Sequence, residues 1–294
     1  MRIGFIGLGA MGLPMAGHLV AAGHQVTVAS RSPGPVERAV ALGAVARTPA
    51  EMASEAEVVV LCVPSSPQVE EVLDAMVPSL AGGLVVVDCS TIDPEVERRC
   101  HRRVADAGGR YLDAPVSGGT IGAERGTLTV MVGGDADVVA AARPALEPFA
   151  GLIVHVGGPG MGQVVKLCNN VIYAAQLQGM AEATAMAVKS GVDPAQLLEV
   201  LLHSTGDCVA VRTRLPVPGV IAESPASNGW RPGFMVDLMA KDLDLALGYA
   251  AEAGVPLAAT AVARQVLTAA AAAGYGREDC SAVAKVMFSL AGIE

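Results

Sequence analysis

Three polar residues stand together in an otherwise apolar run. Lys166, Asn169 and Asn170 fall at i, i+3 and i+4 within GMGQVVKLCNNVIYAAQLQGMAEATAMAVKS, residues 160–190. The run reads as one long helix, and that spacing puts the three side chains on one face of it. After Lys166 no charge follows until Glu182. An ammonium and two amides are costly to bury in such surroundings unless partnered. Two readings are open: the three satisfy the backbone of a neighbouring loop, or they face a cleft between two domains and do chemistry there. That chemistry would be proton transfer, because a lysine can give and take a proton whereas an asparagine can only orient a neighbour. A free lysine, with a pKa of about 10.4, is too weak an acid near neutrality. Burial and a nearby cation would have to lower it toward roughly 7–8.

A second group opens the chain. Gly7, Leu8, Gly9, Ala10, Met11 and Gly12 follow at once on the β-rich run Arg2–Ile6, and residues 11–22 then read as a helix. In this setting the first glycine makes a tight turn, the second admits a pyrophosphate and the third lets helix and strand pack closely. The phosphates would sit at the helix N-terminus, where free N–H groups and the macrodipole favour anions. A glycine-rich turn with no ligand is the alternative; its place between the first strand and the first helix favours dinucleotide binding. About 20 residues on, at the end of the second strand, an acid would hold the ribose hydroxyl of NAD. The chain has Arg31 and Ser32 there and no acid until Glu37. A guanidinium can pair with a 2′-phosphate that a carboxylate would repel, which points to NADP over NAD. A solvated surface arginine is the competing reading.

Two further candidates carry less. The segment DAPVSGGT, residues 113–120, offers the Ser117 hydroxyl and the backbone N–H groups of Gly118 and Gly119, an arrangement suited to a carboxylate or other small anion, or else a hairpin-like turn. Lys241 and Asp242 are neighbours on a later helix and so are expected not to face one another, leaving Lys241 to point toward the cofactor or into solvent.

The elements that must position these groups alternate in the first half of the chain. Strands are expected at 2–6, 25–30, 57–63, 84–88, 110–113, 127–133 and 152–156, with helices at 11–22, 68–76, 94–107 and 135–149 among them. This predicts a doubly wound, mostly parallel sheet, an α/β Rossmann domain over 1–162. Ligands bind beyond the carboxyl ends of such strands, so Val63, Pro64 and Thr91 are expected to line the cofactor. Ser90 or Thr91 is also a candidate cap for the helix after Ile92. From 163 onward the pattern is helical only, at 194–203, 234–253, 256–273 and 280–290, with an irregular connection over 212–233. An all-α C-terminal domain over 163–294, beginning with the long helix, follows.

The bulk numbers exclude several classes. At 294 residues two domains are expected. A net charge of −9 with 3% aromatic residues argues against nucleic acid. No run is long and dry enough to span a bilayer, and the N-terminus reads directly as a strand, so a cytoplasmic protein is expected. The cysteines (62, 89, 100, 168, 208, 280) lack the paired spacing of a metal site and read as reduced thiols. With 52% hydrophobic residues, apolar surface is left over for subunit contacts, and 258–273 is a candidate for a helix buried between copies in a homodimer or homotetramer.

Taken together, GFIGLGAMG, DCSTIDPE, DAPVSGGTIGAERGTLTVMVGG, GMGQVVKLCNN and KDLDLAL, in that order over essentially the whole chain, resemble the β-hydroxyacid dehydrogenases, the family of 3-hydroxyisobutyrate dehydrogenase, tartronate semialdehyde reductase and 6-phosphogluconate dehydrogenase. The resemblance implies an NAD(P)-dependent oxidoreductase of small β-hydroxyacids or their aldehydes. It implies that Lys166 is the catalytic acid/base, that Asn170 helps hold the substrate, that Ser117, Gly118 and Gly119 bind its acid group, and that Lys241 approaches the cofactor. Arg31 in place of the acid carried by members acting on hydroxyisobutyrate looks like the NADP-preferring branch, similar to glyoxylate/succinic semialdehyde reductases. Relatives that lose the lysine and become nucleotide-binding scaffolds, and imine reductases that replace it, are the alternatives; retention of Lys166 with both asparagines speaks against each.

Overall fold

The computed structural model describes residues 1–293. The chain divides into two compact units, Met1–Lys166 and Leu167–Glu294. The first is built on a sheet of β1 (Arg2–Ile6), β2 (Gln25–Ala29), β3 (Val45–Ala46), β4 (Val58–Leu61), β5 (Val85–Asp88), β6 (Arg110–Asp113), β7 (Val116–Ser117), β8 (Leu128–Gly133) and β9 (Ala150–Gly157). Between the strands run α1 (Gly12–Ala21), α2 (Pro33–Ala41), α3 (Pro49–Glu55), α4 (Ser66–Met76), α5 (Pro94–Asp106), α6 (Gly119–Arg125) and α7 (Ala136–Leu146). Strand order is β3-β2-β1-β4-β5-β6-β8-β7, with β9 paired to β8. β1 to β6 are parallel throughout, while β8 runs antiparallel to β6 and β7. The first six strands thus have the order of a dinucleotide-binding sheet, and the chain reverses direction across the sheet between β1 and β4.

These strands form because β-branched runs are covered on both faces, as parallel sheets require. Val58, Val60, Val85 and Val87 pack with Met15 and Leu19 of α1, while the alternate residues Val59, Leu61 and Val86 pack with Met52, Leu73 and Val104 of α3, α4 and α5. No element is expected over the segment 32–56. In fact Pro33 and Pro49 each occupy the first helical position, where the missing N–H costs nothing. Thr48 and Glu51 then close a reciprocal capping box on α3.

The hairpin-like reading of 113–120 is corrected. β7 does pair with β8, Ser117 opposite Thr129, but α6 starts at Gly119 and intervenes. Gly118 and Gly119, at φ 133° and 62°, lead the chain from strand into helix instead of folding it back.

α8 (Met161–Lys189) begins in the first unit and continues into the second. There it is joined by α9 (Pro194–Leu202), α10 (Val209–Arg214), α11 (Val236–Glu252), α12 (Ala258–Ala270) and α13 (Val283–Leu290). The second unit holds its own core, including Leu177, Met180, Met239, Leu243, Ala263 and Leu267. α12 buries one stripe, Thr260, Ala263, Leu267 and Ala270, and leaves Val262 on its exposed side. Among the described residues no helix is long and apolar enough to cross a membrane.

Candidate active site

The turn after β1 has the shape its glycines suggest. Gly7 sits at φ 102°, and a Cβ there would lie 2.2 Å from the Cys62 carbonyl oxygen at the end of β4. A Cβ on Gly12 would lie 1.9 Å from the Gly7 carbonyl oxygen, so α1 can approach β1 this closely only through a glycine. Gly9, by contrast, has open space where its Cβ would be, the position at which a pyrophosphate needs to approach the backbone. α1 has no acidic residue in its first turn and no side-chain cap, so nothing of the protein's own competes for the anion. The cradle fits the pyrophosphate of an NAD(P) cofactor, with Gly7, Leu8, Gly9, Ala10, Met11 and Gly12 as its wall.

The ends of β1, β4 and β5 are tied into one rim. The Gly7 turn meets Val63, and the Val63 N–H donates to Ser90 Oγ at 2.9 Å. Ser90 N–H donates in turn to Asp88 Oδ1 at 2.8 Å. Val63, Pro64 and Thr91 therefore belong to the same lip of the sheet. Ser90 is not the helix cap, nor is Thr91: the Asp93 carboxylate caps α5 by accepting from Glu95 N–H, because it stands directly before Pro94 at the first helical position. Arg31 and Ser32 follow β2 and are exposed; Ser32 is the residue preceding α2, and its side chain makes no capping bond.

Behind this rim lies a buried polar group that was not among the expected site residues. Asp88, Glu97 and Asp113 are all fully or nearly fully buried, as are Gln163 and Tyr111. The Tyr111 hydroxyl is 2.7 Å from Glu97 Oε2 and 3.2 Å from Asp88 Oδ2. Burial raises the Asp88 carboxyl to about 6, against the hydrogen bonds from Ser90. Glu97 is pushed well above the carboxylate range, first by burial and then by the charges of Asp88 and Asp113. The signal was present: an acid ends each of two neighbouring apolar strands, VVVD and RYLD.

Lys166 is buried on α8, one turn beyond Gln163. Asn170, one turn further, is also buried, and its Nδ2 donates to Asp242 Oδ2 at 2.7 Å. Asn169 does not share that burial; it is exposed and donates to Asn170 Oδ1 at 3.1 Å, fixing which way the Asn170 amide faces. The expectation that Lys241 and Asp242 would not meet is also corrected. Lys241 Nζ lies 3.0 Å from Asp242 Oδ1, because a four-carbon side chain can double back where Cβ directions alone forbid a contact. Asn170, Asp242 and Lys241 thus form one polar network in the second unit. Among the described residues no cluster of three metal-ligating side chains occurs, and all six cysteines are free thiols.

The sheet order and the glycine turn define a Rossmann-type nucleotide-binding protein whose second unit is helical. Comparison with known proteins narrows this. The family model of the NAD binding domain of 6-phosphogluconate dehydrogenase matches residues 2–157, and that of the NAD-binding domain of NADP-dependent 3-hydroxyisobutyrate dehydrogenase matches residues 160–287. The chain is 44% identical over 290 residues to a 3-hydroxyisobutyrate dehydrogenase of Pseudomonas aeruginosa, covering 97% of each chain. It is 40% identical over 291 residues to an NAD-dependent L-serine dehydrogenase of the same organism, again covering 97% of each. The solved structure of Mycobacterium tuberculosis 3-hydroxyisobutyrate dehydrogenase with L-serine superposes with a TM-score of 0.91 at 39% identity, over 97% of this chain and 98% of that one. The chain belongs to the β-hydroxyacid dehydrogenase family, as a 3-hydroxyisobutyrate dehydrogenase-like, NAD(P)-dependent oxidoreductase.

Proposed function

We propose that the protein interconverts a small β-hydroxyacid and its aldehyde, with Lys166 as general acid/base and NADP(H) as the preferred cofactor. The observation that carries this reading is a lysine only 8% exposed on the helix that starts beside the nucleotide-binding rim. When bound, the nicotinamide supplies or accepts the hydride. What remains for the protein is to orient the reacting carbon and to manage one proton. In the reducing direction Lys166 Nζ donates that proton to the carbonyl oxygen as negative charge builds there; in the oxidising direction it takes the hydroxyl proton.

Asn170 has an orienting role, supported by an amide already fixed by Asp242 and Asn169. Ser117, Gly118 and Gly119 hold the substrate carboxylate through the hydroxyl and the turn's N–H groups. The substrate class follows the named relatives. 3-Hydroxyisobutyrate and L-serine share a hydroxymethyl group on the carbon that bears the carboxylate, so a compact acid of that pattern is expected. The NADP preference rests on Arg31 and Ser32; one similar solved structure, 27% identical with a TM-score of 0.83, is described as a complex with NADP+.

The test is Lys166→Ala assayed on 3-hydroxyisobutyrate, L-serine and the corresponding aldehydes with both cofactors. Turnover should fall by about 10²–10⁴-fold, the usual worth of positioned acid–base assistance, while cofactor affinity stays close to native. Lys166→Arg should not restore it, because a guanidinium keeps its proton. A variant retaining more than about a tenth of native turnover has lost less than the smallest typical contribution and sinks the assignment.

A further inference from the structure

The first turn of α8 is held more tightly than a helix start requires. Gly160 N–H donates to Asp113 Oδ1 at 2.8 Å and Gln163 N–H to Asp113 Oδ2 at 3.1 Å. A Cβ on Gly162 would lie 2.4 Å from the Met131 carbonyl oxygen and 2.7 Å from Asp113 Oδ2, so the helix is pressed against β6 and β8 with no slack. The Gln163 side chain then uses its whole amide. Nε2 donates to the Ser90 carbonyl at 2.8 Å and to Glu97 Oε1 at 2.6 Å, and Oε1 accepts from Ile92 N–H at 3.2 Å. Gln163 therefore clasps both sides of Thr91, at the nucleotide rim, from a point three residues before Lys166.

The far end of the clasp has a proton to account for. The Tyr111 hydroxyl is within hydrogen-bond reach of Glu97 and of Asp88, but it carries a single proton and can donate to one of them only. The other short contact needs a proton on the carboxyl group. With that proton on Glu97 Oε2 every bond closes: Glu97 donates to Tyr111, Tyr111 donates to Asp88 Oδ2, Ser90 N–H donates to Asp88 Oδ1, and Glu97 Oε1 stays free to accept from Gln163. The burial and the neighbouring acids that push Glu97 upward favour this placement.

We propose that Gln163 is a positioning residue that sets Lys166 against the nucleotide rim, and that it is held in place by a neutral Glu97 locked through Tyr111 to Asp88. This rests on Lys166 being the proton donor and acceptor. The work of the ladder is to fix a distance: an ammonium one turn along a rigid helix from a fully bonded amide cannot drift relative to Ser90, Thr91 and Ile92. A displacement of about 1 Å at a reacting group can cost on the order of 10²-fold in rate.

The experiment compares Gln163→Met, Glu97→Gln, Glu97→Ala and Lys166→Ala by kcat and by cofactor dissociation constant, with thermal melting as the check on folding. Gln163→Met should lower kcat by about 10–100-fold while cofactor affinity stays within about twofold. Glu97→Gln should restore most of the rate lost in Glu97→Ala, because its carbonyl can accept from Gln163 while its N–H donates to Tyr111, the same pattern as a neutral acid. A folded Gln163→Met with native kcat, beside an inactive Lys166→Ala, overturns this inference and leaves the Lys166 assignment standing. Lys166→Ala with native kcat overturns both. Glu97→Gln as damaging as Glu97→Ala overturns the neutral lock. Should Gln163→Met fail to fold, Tyr111→Phe is read the same way, a fall in kcat at unchanged cofactor affinity supporting the ladder and an unchanged kcat overturning it.

Discussion

Arg31 and Glu97 differ in how their neighbours treat them. Arg31 stands exposed at the end of β2, where its charge is available to a ligand. Arg31→Asp should move cofactor preference toward NAD(H) by about 10–100-fold, the worth of a charge-assisted hydrogen bond or two. Titration of both cofactors against native and variant protein checks this; equal native affinities would remove the argument. Glu97 is the opposite case, sealed among Asp88, Asp113, Tyr111, Cys89 and Cys100. Asp88, raised from an ordinary 3.8 to about 6, binds a proton in the folded chain that the unfolded chain releases. Its stabilisation is complete below about pH 4 and is lost as pH rises toward 6; Glu97 carries the decline higher. Urea midpoints should therefore fall from pH 4 to pH 6 and go on falling above it, and Glu97→Gln should flatten the part of the slope above pH 6. A slope unchanged in the variant would assign the pH dependence elsewhere. Lys166 and the glycines stand out as candidates in the sequence because their type and spacing are local facts. The ladder behind them does not, because Asp88, Glu97, Tyr111 and Gln163 come from four elements that only the folded sheet brings together.

At the scale of elements, strands read well where packing and composition agree. VVVL and VVVD can only be buried parallel strands, and both were found to within two residues. α2, α3 and α6 were not among the expected helices; each starts on a proline or a glycine, which interrupt a helix elsewhere but are tolerated at its first position. α3 in particular depends on its cap. Thr48→Ala should cost about 1 kcal/mol by removing the bond to Glu51 N–H. Gly12→Ala should cost about 1–3 kcal/mol or more through overpacking of α1 on β1. It should also weaken cofactor binding, since the same movement displaces the cradle. Denaturant melts with and without cofactor separate the two effects. A Gly12→Ala protein as stable as native would mean that α1 can retreat from β1 at little cost.

For the molecule as a whole, the second unit leaves large apolar side chains uncovered. Ile172, Met186, Val200, Val209, Val262 and Leu290 are each more than half exposed in the single chain. A homodimer or homotetramer is the expected state, with these residues at the contacts. Light scattering at micromolar concentration should give twice or four times the 29.7 kDa chain mass, and a stable monomer would refute it. The join between the units has a consequence of another kind. It falls inside α8, between Lys166 and Leu167, and not in a loop. Proteases need an extended, accessible stretch, which domain boundaries usually provide and a continuous helix does not. Brief digestion should therefore spare the junction and nick the irregular chain between α10 and α11 first, releasing a fragment that still carries all of α8. The two units cannot be freed from one another by cutting where they meet, since their shared helix hides the scissile bonds.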